Sequence, residues 1–80
     1  MVLPCRVPAK LEKAILSDIS LTGCRIELFD AVPQKGSTIV FEVNAGDHFA
    51  GEIVWVRGFE AGVRFTNQLS APVRTALDLN

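Results

Sequence analysis

Alternation with a period of two runs through most of this chain and constrains its fold more than any other feature, because every second side chain of a strand points to the same face. In CRIELF, Cys24, Ile26 and Leu28 share one side while Arg25 and Glu27 share the other. In TIVFEV, Ile39, Phe41 and Val43 oppose Thr38, Val40 and Glu42. The long run HFAGEIVWVRG sets Phe49, Gly51, Ile53 and Trp55 on one side, with Gly51 as the expected bulge or bend that lets a small barrel close. Ala61, Val63 and Phe65 then point inward from AGVRF, and Gly58, Phe59 and Glu60 form the tight hairpin between these two runs. Strands with one wet face describe an antiparallel sheet.

Turn residues punctuate the same division. Pro33 and Gly36 lie within the segment 32–37, and Asn44, Ala45, Gly46 and Asp47 separate two β-rich runs. Upstream, CRVPAKLE and AILSDIS read as two further strands joined around Glu12 and Lys13, with Pro8 confining the first to an edge or a bulge. After Phe65 the period changes. SAPVRTALDL reads as a short terminal helix, with Ser70 as N-cap, Pro72 in the first turn, and Val73, Ala76 and Leu77 on the stripe that docks on one barrel end.

Eighty residues bury one small core, so the chain is expected to form a single domain over 1–80, with the barrel at about 6–69 and the helix at about 70–79. A net charge of -1 argues against a general DNA or RNA binder and against an anionic-membrane binder. No apolar run approaches the roughly 20 residues of a membrane span, and MVLPCRVPAK lacks a signal-peptide core, so the expected location is cytoplasmic. Cys5 and Cys24 fit neither a CxxC redox pair nor a zinc framework and are expected to be reduced, buried thiols. His48, the sole imidazole, is expected in a solvated turn beside Asp47. Without a base near Ser17 or Ser20 no catalytic triad can be assembled, so neither an enzyme nor a cofactor or metal is expected. Trp55 and the phenylalanines alternate with apolar partners as core residues do, rather than joining a basic groove as in single-strand binders; Phe59, at a hairpin tip, stands apart.

The chemistry concentrates in DISLTG. Asp18 and Ser20, two apart at a strand end, lie on the same side, and Gly23 frees the backbone to turn. Such a corner can accept from the N1–H and exocyclic amine of a guanine through Asp18, while Ser20 both donates and accepts. The same residues can equally cap their own turn, with Gly23 supplying a positive φ.

DISLTG resembles the DxSxxG signature of PilZ domains, and the likeness extends over about 6–69 through an alternating strand, a Pro and Gly loop, and the paired strands of GEIVWVRGFEAGVRF. The resemblance implies a six-stranded antiparallel β-barrel that binds the bacterial second messenger cyclic di-GMP and passes the signal to a downstream protein partner. In the family an RxxxR stretch clamps the ligand opposite the DxSxxG residues. Here Arg6 and Lys10 give RxxxK, and lysine keeps a point charge for phosphate without the planar fork of arginine. The expected ligand-binding set is therefore Asp18, Ser20, Gly23 and Arg6, with Lys10 assisting. The alternative is a PilZ-like protein-interaction adaptor that has lost the nucleotide; an SH3-like or OB-like barrel leaves DISLTG as a mere turn.

Overall fold

The computed structural model describes residues 1–8 and 10–79; Ala9, inside the expected first strand, lies outside them. Six strands, β1 (Val2–Arg6), β2 (Leu11–Ser17), β3 (Gly23–Leu28), β4 (Thr38–Asn44), β5 (Asp47–Arg57) and β6 (Glu60–Phe65), precede one helix, α1 (Ala71–Ala76). All pair antiparallel, in the order β1-β2-β3-β6-β5-β4, and the ring closes where Cys5 and Arg6 of β1 meet Phe41 and Val40 of β4. Closure removes the open edges that a flat sheet would present.

The alternating apolar residues fill the interior. Phe41, Ile26, Ile39 and Ile53 are fully buried, and Phe41 stacks on Phe49 at 4.8 Å, which meets Phe65 edge-on at 5.3 Å. At the end of the chain the Ser70 hydroxyl accepts from the Val73 N–H, and Arg74 donates to the Leu69 carbonyl at 2.7 Å. Val73 and Leu77 are thereby buried, with α1 packed near β4 and β5. The helix and its cap match the sequence expectation. Cys5 and Cys24 are free and buried. Burial, with a smaller contribution from the Glu12 charge, pushes the Cys5 thiol up to about 11, and burial alone pushes Cys24 up to about 12.

Four expectations about local structure are corrected. The first reversal lies at 7–10, closed by the Val7 N–H donating to the Lys10 carbonyl at 2.9 Å, not at Glu12 and Lys13. The inward alternation begins upstream at Leu3, which pairs with Ala14, and this moves Pro8 into the turn, where its fixed φ and missing N–H cost nothing. Gly51 sits in regular register; the irregularities fall between Glu42 and Asn44 and between Ile53 and Trp55. A side chain at Gly51 would collide with Val63 and the Arg64 backbone, so this glycine serves close strand approach. His48 belongs to β5, opposite Glu42, rather than to the preceding turn. Trp55 leaves the core face: the extra residue after Ile53 inverts the alternation, and Trp55 emerges on the outside with 40% exposure.

Candidate functional site

The DISLTG segment forms the turn from β2 to β3. Its positive φ belongs to Asp18 (50°) and not to Gly23, as aspartate tolerates the left-handed region better than most residues. Gly23 is required for another reason: a Cβ there would lie 2.3 Å from the Val63 carbonyl oxygen of β6. The glycine allows β3 and β6 to approach at the mouth of the turn.

Ser20 is committed to its own loop. Its Oγ accepts from the N–H groups of Thr22 and Gly23 at 3.2 and 3.3 Å and donates to the Gly23 carbonyl at 3.2 Å, while its N–H also donates to that carbonyl at 2.9 Å. A hydroxyl offers one donor and two acceptor positions, so these contacts use its capacity and hold the turn. Asp18 is different. Its side chain is 73% exposed and, among the described residues, its polar partner is the Arg25 guanidinium, at 3.4 Å through Oδ2. Arg25 also donates through Nε to the Ser17 hydroxyl at 3.2 Å.

Strand register extends this corner across the outer barrel face. Ser17 opposes Arg25, Arg25 opposes Gly62, and Gly62 opposes Trp55, forming one row over β2, β3, β6 and β5. The Trp55 indole lies directly over Gly62, where any Cβ would overlap the ring. The adjacent row sets Gly23 against Arg64 and Arg64 against Glu52, the latter two forming an ion pair at 3.1 Å. Arg25, Arg64 and Trp55 were not singled out by the sequence motif. Their signal was the unusual pairing of outward arginines with glycines, legible only once β3 and β6 are in register.

The structure does not bring Arg6 and Lys10 to this corner. Arg6 ends β1 opposite Leu11, the first residue of β2, whereas Asp18 follows the last. The length of β2 alone separates the two by about 20 Å at ~3.3 Å per residue. Arg6 instead lines a cavity of about 550 Å³ with Val40, Glu42, His48 and Leu69. Lys10 borders another, of about 610 Å³, beside Leu11, Lys13 and Phe29. Neither cavity includes Asp18, Ser20, Arg25 or Trp55, and Asp18 and Trp55 are exposed.

The PilZ domain family model matches residues 2–79. The chain belongs to the PilZ domain family, whose members are binding and adaptor domains and, in general, cyclic di-GMP receptors. No curated protein and no solved structure matches the chain significantly.

Proposed function

We propose that this chain is a cyclic di-GMP receptor domain that holds its ligand on the outer face of β3, β6 and β5, beside the β2–β3 turn. The exposed Asp18 carboxylate carries this reading, since it stands on a left-handed backbone position and its second oxygen has no partner among the described residues. It accepts from the N1–H and exocyclic amine of a guanine, a charged pair of hydrogen bonds that a neutral base edge with other donors cannot reproduce. Trp55 offers an indole for base stacking, and Ser20 and Gly23 keep the turn in shape. Occupancy of this face then signals to a downstream protein partner in the bacterial cytoplasm.

The test is calorimetric titration of the intact chain with cyclic di-GMP, paired with thermal melting. Ligand at 100 times its dissociation constant stabilises the fold by about 2.7 kcal/mol. Asp18→Ala is expected to weaken binding by about 1.5 to 3 kcal/mol, the range for hydrogen bonds to a charged group. Absence of heat and of any melting shift at millimolar ligand would reject the receptor and leave an adaptor that works through protein contacts alone.

A further inference from the structure

Phosphate binding requires a cation, and the cations expected from the sequence, Arg6 and Lys10, stand away from the Asp18 corner. On the Asp18 face the outward positions of β3 and β6 form a small checkerboard. Gly23 opposes Arg64 and Arg25 opposes Gly62, so the two arginines are diagonal neighbours separated by two residues without side chains. Diagonal positions of an antiparallel pair lie about 7–8 Å apart, within reach of long side chains. Trp55 covers Gly62, and the Val63 carbonyl fills the place a Cβ would take at Gly23, so neither glycine raises a side chain between the two guanidinium groups.

We infer that Arg25 and Arg64 form a phosphate-binding pair, built into the barrel wall, for the nucleotide of the proposed receptor site. The inference rests on that receptor reading and adds the anion contacts. Each guanidinium now meets an exposed carboxylate, Asp18 at 3.4 Å and Glu52 at 3.1 Å. Exposed pairs of this kind are weak, and a phosphate offers guanidinium a bidentate, charge-assisted alternative. When Arg25 turns to phosphate, Asp18 loses its ion pair with Arg25 and is released to the guanine edge. Base and phosphate recognition are thereby coupled through a single side chain. A cyclic dinucleotide, with guanine and phosphate held at a fixed separation, fits this arrangement better than either part alone.

The experiment titrates wild type, Arg25→Gln, Arg64→Gln, the double variant, Arg25→Lys and Glu52→Gln with cyclic di-GMP, and records the 31P spectrum of the ligand at saturating protein. Each glutamine variant is expected to lose about tenfold in affinity, with Arg25→Lys intermediate. Glu52→Gln frees Arg64 and is expected to tighten binding about twofold. The 31P shift on binding should shrink in both arginine variants and persist in Asp18→Ala. Wild-type affinity in the double variant, with Asp18→Ala still impaired, would overturn the phosphate pair and leave the receptor reading standing. An unchanged 31P shift in arginine variants of reduced affinity would also overturn it, reducing Arg25 to a support for Asp18. No binding by wild type at millimolar ligand would overturn both.

Discussion

On the face formed by β2, β3, β6 and β5, Arg25 and Arg64 each meet a carboxylate and each lie opposite a glycine. On the face formed by β1 and β4 with the start of β2, Arg6, Lys10 and Lys13 border grooves and make no ion pair among the described residues. The second face carries the two described hollows; the first carries the arginine–carboxylate pairs. The described hollows and the arginine–carboxylate pairs therefore mark different places on this barrel. The deciding feature is glycine between the arginines, because a missing Cβ lets the Trp55 ring lie on Gly62 and lets the Val63 carbonyl of β6 approach Gly23. The first face carries the exposed Trp55 over Gly62, whereas the grooves carry the exposed Leu11 and Phe29.

The largest consequence of this contrast concerns Gly23. Gly23→Ala forces a Cβ against the Val63 carbonyl, a backbone group that cannot turn aside, and is expected to cost about 1–3 kcal/mol in thermal or urea melts. Cyclic di-GMP affinity should fall with it, since the same turn holds Asp18. A variant as stable as wild type would mean that β3 and β6 part freely and that the glycine is not required.

On the opposite side, Ser70→Ala removes the α1 cap and is expected to cost about 0.5–2 kcal/mol. Here stability should drop while ligand affinity stays unchanged. Weakened binding in this variant would show that the helix end of the barrel communicates with the Asp18 face.

Cys5 and Cys24 report on the core beneath both faces. Their folded thiols titrate at about 11 and about 12 against an ordinary 9.0, so folding favours the protonated form. This contribution is intact below pH 9 and is lost as pH rises from 9 through the folded values, because the unfolded chain sheds these protons first. Urea melts between pH 8 and 10.5 should show stability falling only above about pH 9, and both thiols should resist a disulfide reagent at pH 8. Rapid labelling of either thiol in the native state would contradict the closed core.

The smallest effect is assigned to the RxxxK residues. Arg6→Ala and Lys10→Ala should each leave cyclic di-GMP affinity within about twofold, as expected of surface positions away from the ligand. A tenfold loss in either would erase the distinction between the two faces and return these cations to the site.

Much of the architecture was legible before any coordinates. The inward sets Cys24, Ile26 and Leu28, and Ala61, Val63 and Phe65, follow from alternation and are buried as expected. The Ser70 cap and the Gly58 hairpin, with φ of 61° at its first turn position, were equally readable because they depend on neighbours in the chain. Trp55 was misplaced for one reason: a single-residue bulge leaves no mark in an apolar run such as IVWV, yet inverts every later side chain. DISLTG named Asp18, Ser20 and Gly23 correctly as one corner, but a motif cannot say which hydroxyl is spent on its own loop.

Local pattern by itself determined that this chain makes short antiparallel strands, a capped terminal helix and a polar turn at DISLTG, since those outcomes depend on side-chain period and backbone freedom within a few residues. Tertiary structure alone decided which strands become neighbours. Pairing β3 with β6 set Arg25 and Arg64 diagonally across two glycines, while the length of β2 carried Arg6 away from Asp18. Register is a long-range property, fixed by how the whole barrel closes over its core, and no stretch of sequence contains it.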